Sequence, residues 1–129
     1  MSKDNYMEIT SIDGRKKRSE DTSELIIDTA FSLLNEGILN ITHELIAKEA
    51  KIGTRTIFRH FKDKNSLIIG MHNKLLNDFE SSKPKIDLNV DVNSRLKLLI
   101  EFTCNTYEKY QYVYHWTVKN LWYSKDVRT

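Results

Sequence analysis

Residues 42–67 read THELIAKEAKIGTRTIFRHFKDKNSL. Thr42 is a residue type that caps helix starts, and Glu44 falls where a carboxylate suits the positive end of a helix. Leu45, Ile46 and Ala50 recur at helical spacing and predict an inward face. Lys51–Gly53 predicts a turn, and a second short helix follows over 54–61. Ile57 and Phe61, four residues apart, share one side of that helix and can pin it to a core. Thr54, Arg55, Thr56, Phe58, Arg59 and His60 surround the anchor. Two short helices joined by a tight turn, the second basic and rich in hydroxyls, suit insertion into the major groove of duplex DNA. Arg55 is the strongest candidate for reading a base, because its planar fork matches guanine N7 and O6. Thr54 and Thr56 can donate, accept or touch a thymine methyl. Phosphate contacts require cations, hydroxyls or helix starts. Thr42, Arg59, His60, Lys62 and Lys64 meet that description; the alternative is that Thr42 only caps and the lysines are only solvated.

Outward from this stretch, the pattern stays helical. A first helix is expected to start near Asp21–Ser23, with Leu25, Ile26, Ala30, Leu33 and Leu34 at helical spacing, and to end at Gly37. Asp63 is expected to cap a fourth helix through about residue 80, with Leu67, Ile68, Met71, Leu75, Leu76 and Phe79 as its apolar stripe. Gly70 inside it costs roughly 1 kcal/mol against Ala and so marks close packing. Residues 81–92, with Pro84 and a polar cluster, read as a connector. A fifth helix over 93–107 is expected to place Leu96, Leu99, Ile100, Thr103 and Cys104 on one face, and a sixth covers 111–122. Residues 1–19 are polar and aperiodic and read as a mobile basic arm.

The net charge of +2 over 129 residues conceals two basic patches. Arg15, Lys16, Lys17 and Arg18 are consecutive, and residues 48–64 carry Lys48, Lys51, Arg55, Arg59, Lys62 and Lys64 against Glu49 and Asp63. Residues 20–49 are acidic, with Glu20, Asp21, Glu24, Asp28, Glu36, Glu44 and Glu49 against Lys48 only. Basic patches are the electrostatic footprint of phosphate binding, although a charge run is also ordinary solvated surface. With one Pro and four Gly, an all-α chain is expected and a turn-rich β fold is not. The apolar runs fall short of a membrane span, and no apolar signal core opens the chain. Cys104 is the lone cysteine, which excludes an intrachain disulfide and fits a cytoplasmic setting.

Tyr107, Tyr110, Tyr112, Tyr114, Trp116, Trp122 and Tyr123 crowd the C-terminal region. Packing between helices is the favoured reading of this cluster. Tyr107, Tyr110, Tyr114 and Trp116 are alternatively the wall of a pocket for a small apolar effector, and a third reading is an exposed, adhesive surface. His43, His60, His72 and His115 have no metal-ligand spacing, so no zinc site is indicated. Cys104 on an apolar face reads as core rather than nucleophile. No phosphate-binding glycine loop and no nucleophile triad is legible; neither a cofactor nor an enzyme is expected.

The pattern LLNEG…ITHELIAKEAKIGTRTIFRHFKDKNSLI resembles the DNA-binding domain of TetR-family transcriptional regulators over about residues 22–79. The resemblance implies three helices, the second and third forming the helix-turn-helix, and a fourth leading to an effector-binding region. It implies that Thr42 meets a phosphate, that Thr54, Arg55 and Thr56 lie at the bases or adjoining backbone, and that His60 and Lys64 contact phosphate. Phe58 stands where the family usually has Tyr, so it brings no hydroxyl to the DNA backbone. Lys51 occupies a turn position that is typically Gly; at positive φ it would cost on the order of 1 kcal/mol. Gly53 replaces a Ser-like cap.

The expected organisation is therefore a basic arm over 1–19, a helix-turn-helix domain over 20–64 and a shortened helical region over 65–129. Family members dimerise mainly through their last helices, which are expected to be missing here, leaving a homodimer in question. The expected function is sequence-specific binding of double-stranded DNA by a transcriptional regulator, commonly a repressor, with no membrane partner. The rival expectation is a helical interaction protein that pairs with another regulator without reading DNA itself.

Overall fold

The computed structural model describes the backbone of residues 3–123 and the side chains of 14–122. Among the described residues it is all-helical: α1 (Lys3–Asn35), α2 (His43–Ala50), α3 (Thr54–His60), α4 (Lys64–Ser82) and α5 (Val92–Tyr123). A single apolar cluster joins all five. It takes Ile26, Ile27, Ala30, Phe31, Leu33 and Leu34 from α1, Ile46 and Ala47 from α2, and Ile57 from α3. Leu67, Ile68, Met71 and Leu75 come from α4, and Val113 and Trp116 from α5. Leu25, expected on the inner face of α1, is instead half-exposed, while Ile27 and Phe31 turn inward.

The helix ends follow local chemistry. Gly37, at φ +88°, closes α1: its N–H donates to the Leu34 carbonyl and the Ile38 N–H to that of Leu33, both at 3.0 Å. Thr42 caps α2, its Oγ1 accepting from the Leu45 N–H at 3.1 Å. Lys51 then adopts the left-handed conformation at φ 56°, ψ 42°, the strained outcome expected of a non-glycine residue there. Relieving it with Lys51→Gly is expected to raise stability by roughly 1 kcal/mol; a urea midpoint that falls instead would mean the lysine side chain contributes more than its strained backbone costs.

Asp63 opens α4 with a capping box: its Oδ1 accepts from the Ser66 N–H at 2.8 Å, and the Asp63 N–H donates to Ser66 Oγ at 3.1 Å. The Ser66 backbone N–H, and next its hydroxyl, hold the Asp63 carboxyl below the ordinary carboxylate value. A depressed folded-state value means the stabilisation is present at neutral pH and drains as the pH falls below the ordinary carboxylate range. Asp63→Asn keeps a capping oxygen without the titration. Its melting temperature is expected to fall less than that of the wild type between pH 7 and pH 3, which thermal melts across that range would check.

Two expectations of helix extent are corrected. The first helix does not start at Asp21–Ser23 but extends back to Lys3, so Arg15–Arg18 lie on a helix. The residues expected to cap it are otherwise engaged. Thr22 Oγ1 donates back to the Arg18 carbonyl at 2.8 Å, and Ser23 bonds a side chain on α3. Once the Ile26–Leu34 stripe has packed, the nucleation cost is already met, and polar residues without proline simply propagate the helix. In the same way one helix, α5, replaces the two expected after the connector. Glu108–Lys109–Tyr110 contains neither Gly nor Pro, and Tyr110 and Val113 dock against the core across the expected break.

Gly70 is a site of close packing, as expected: a Cβ there would lie 2.7 Å from the Phe61 ring and 3.4 Å from Ile27. The N-terminal half of α5 is not the buried face expected of it. Leu96 is 54% and Ile100 56% exposed, and Cys104 is exposed rather than core. Leu76 and Phe79 on α4 are also partly open.

Candidate nucleic-acid interface

Helix α3 has only seven residues and cannot hold its shape unaided. It is held from behind: Ile57 is 0% exposed in the shared core, and Phe61 packs partly buried at its C-terminal end. In front, Thr54, Arg55 and Arg59 are exposed and Thr56 is half-buried. The sequence-predicted base-reading residues thus share the outward part of one short helix, with Thr56 the most sheltered of them.

Two histidines stitch the motif together. His43 is buried on α2, and its Nε2 lies 2.8 Å from the Phe61 carbonyl. A carbonyl only accepts, so Nε2 carries the hydrogen. The His43 ring stacks on Phe58 with centroids 4.4 Å apart and planes 10° from parallel. Phe58 therefore spends one ring face on α2 while remaining 41% exposed. His60 lies half-buried, with Nδ1 2.9 Å from Ser23 Oγ on α1, which leaves Nε2 as the second ring nitrogen for an outside partner. The Ser23–His60 pair bridges 37 positions and has no local sequence signal.

The other predicted phosphate contacts stand at or beside the starts of α2 and α4. Thr42 uses an oxygen lone pair as a helix cap, so its O–H remains able to donate outward. Lys62 and Lys64 are exposed. Lys64 Nζ sits 6.0 Å from the centre of the Trp116 ring, at the outer limit of a cation–π contact. Trp116 in turn donates its indole N–H to the Leu39 carbonyl at 2.9 Å, fastening α5 to the loop between α1 and α2.

Trp116 therefore leaves the proposed aromatic wall. Tyr107, Tyr110 and Tyr114 do come together, with His72, Leu75, Leu76 and Phe79 of α4, around an apolar groove of about 300 Å³. Tyr110 spans the helices by donating to Asp78 Oδ2 at 3.1 Å. His72, weighed in the sequence only as a metal ligand, brings to this groove a buried Nδ1 without a hydrogen-bond partner. Among the described residues no cluster of three or more His, Cys, Asp or Glu could hold a metal ion, and no helix is long and apolar enough to cross a membrane.

A helix-turn-helix with its second helix anchored behind and cationic in front is the class that fold and site define. Residues 26–71 match the family model described as bacterial regulatory proteins, tetR family. Curated relatives agree. An HTH-type transcriptional regulator of Staphylococcus aureus strain bovine RF122 / ET3-1 is 38% identical over 65 residues, covering 50% of this chain and 35% of the relative. Another, from strain USA300, is 42% identical over 53 residues, covering 40% and 29% respectively. The chain thus matches about a third of the length of these relatives. No solved structure matches significantly.

Proposed function

We propose that the protein is a sequence-specific DNA-binding transcriptional regulator acting in the cytoplasm, of the repressing kind, which lays α3 in the major groove of double-stranded DNA. The observation that carries this reading is the placement of exposed Arg55 on a helix whose opposite side is fixed by fully buried Ile57. Arg55, Thr54 and Thr56 read bases. Thr42, Phe58, Arg59, His60, Lys62 and Lys64 line the backbone, Phe58 by contact rather than by hydrogen bond. Paired as a homodimer, the chain would present two such helices to a palindrome, about one turn of DNA apart. The groove of Tyr107, Tyr110 and Tyr114 takes a small apolar effector, which shifts the balance between binding and non-binding forms. It shares α5 with Trp116, whose bond to Leu39 reaches the helix-turn-helix, so a ligand there has a route to the DNA face.

The test is selection from a random duplex pool at two salt concentrations, with mass measured on the same sample. Enrichment of a palindrome by a dimer supports the proposal; weak, salt-sensitive, sequence-blind binding by a monomer sinks it. Arg55→Ala is expected to relax preference at one or two base pairs, at about 1–3 kcal/mol. Lys64→Ala is expected to weaken all duplexes alike and to lower the salt slope by about 0.9. Equal losses on selected and random DNA in both variants would refute this division of roles. A second reading, a partner-binding helical protein, draws on the open apolar stretch of Leu96, Leu98 and Ile100 on α5. Capture of a longer homologue by a monomer without DNA affinity would favour it.

A further inference from the structure

Residues 15–21 of α1 do not serve the core, since all are solvent-facing. This stretch does form one wall of a cleft. Arg15, Arg18, Ser19 and Thr22 of α1 face Arg59 and His60 of α3 across a space of about 440 Å³. The spacing explains the wall: positions 15, 18, 19 and 22 are three or four apart and fall on one side of a helix. The Ser23–His60 bond, 2.9 Å, holds the two helices together at the end of this wall.

Three guanidinium groups line one cleft, and among the described residues no ion pair joins any of them to a carboxylate. Like charges three apart on a helix repel by a few tenths of a kcal/mol, so the arrangement is stabilised when an anion enters. Planar guanidinium forks match phosphate oxygens in geometry as well as charge. Ser19 supplies a hydroxyl, and His60 a ring nitrogen that Ser23 does not use.

We propose that this cleft binds the phosphodiester backbone of duplex DNA beside the groove that α3 enters, with Arg15 and Arg18 as contacts separate from the recognition helix. The inference rests on the DNA-binding function proposed above. It extends the footprint along α1. Eight residues separate Arg15 from Ser23, about 12 Å at ~1.5 Å per residue, or roughly three to four base pairs of rise at ~3.4 Å each. The contact is blind to sequence: it adds affinity and fixes the angle of approach while α3 reads the bases.

The test compares the full chain with Arg15→Gln/Arg18→Gln, on the duplex selected by the wild type and on random duplex, over a salt series. Lys16→Gln/Lys17→Gln removes the same charge from the other sides of α1 and serves as the control. Glutamine is a good helix former and these positions are exposed, so α1 is retained; circular dichroism checks this. The expected result is a salt slope lower by about 1.8 and a loss on the order of 10- to 100-fold near 0.1 M salt, equal on both duplexes. Backbone footprinting should lose protection only at the flank. An unchanged slope, or a control that loses as much, overturns the cleft while leaving the α3 reading intact. Sequence-blind binding whose slope still falls in the Arg15→Gln/Arg18→Gln variant supports the cleft and refutes base reading by α3. A wild type that binds no duplex at low salt overturns both.

Discussion

Ile57→Ala is expected to cost about 2–5 kcal/mol of folding stability and to abolish DNA binding. Ile57 is the residue of α3 buried in the common core, at 0% exposure, so truncation leaves a cavity in the apolar cluster that α3 shares with the other helices. A domain of this size has roughly 5–15 kcal/mol in hand. The loss therefore falls near the limit for a folded chain. A seven-residue helix has little propensity to form alone, so α3 should be the first element to open. Ile57→Val removes one methylene and should cost only about 0.5–1.5 kcal/mol. Urea titrations of both variants, read beside DNA affinity, check this. A loss below 1 kcal/mol for Ile57→Ala would mean that α3 is held by something other than this anchor.

Trp116→Ala is expected to cost about 3–5 kcal/mol and to release α5 from the helix-turn-helix. The indole is 7% exposed and joins the core cluster, and its N–H bonds the Leu39 carbonyl at 2.9 Å. Its face lies 6.0 Å from the Lys64 ammonium. Trp116→Phe keeps a ring in the core and removes only the N–H donor. The partner carbonyl then loses its bond, at about 1 kcal/mol, since Leu39 is open to water. The expected order is therefore a large loss for Ala and a small one for Phe. Emission in a Trp122→Phe background should move from a buried to a solvated wavelength as α5 lets go. Similar losses in the two variants would place the energy in the hydrogen bond rather than in packing.

The difference between these residues shows which features were readable in advance. Ile57 and Phe61 announced themselves by spacing, because a four-residue interval on a short helix defines a side regardless of what lies opposite. Thr42, Lys51 and Asp63 were equally legible. Capping and left-handed turn positions are decided by a residue and its neighbours within four positions, and each took the expected role. Trp116 was legible only as an aromatic. Its partner Leu39 lies 77 positions away, and nothing near Trp116 distinguishes a core anchor from a pocket wall.

The two errors of extent have a common origin. Asp21–Ser23 looked like a helix start because those residues favour caps, yet a helix already nucleated by Ile26–Leu34 extends through them at little cost. Between the two helices expected over 93–107 and 111–122, no Gly or Pro stands to stop a helix. In both places the backbone continued because nothing in the local chemistry terminated it. Cys104 and Leu96 were misassigned for the converse reason: periodicity identifies a face, but only neighbouring elements decide whether that face is covered.

Local chemistry, read from the sequence alone, determined the all-α class, the Thr42-capped helix, the Lys51 turn, the short α3 with Ile57 behind and Arg55 in front, and the family resemblance these carry. Those features depend on interactions within about one helical turn, where sequence distance and spatial distance coincide. The tertiary structure decided the rest: Ser23 holding His60, Trp116 reaching Leu39, the tyrosine groove between α4 and α5, and the placing of Arg15 and Arg18 opposite Arg59. Each pairs residues on separate helices, and such pairs are set by how the helices pack around one core, which no single segment encodes.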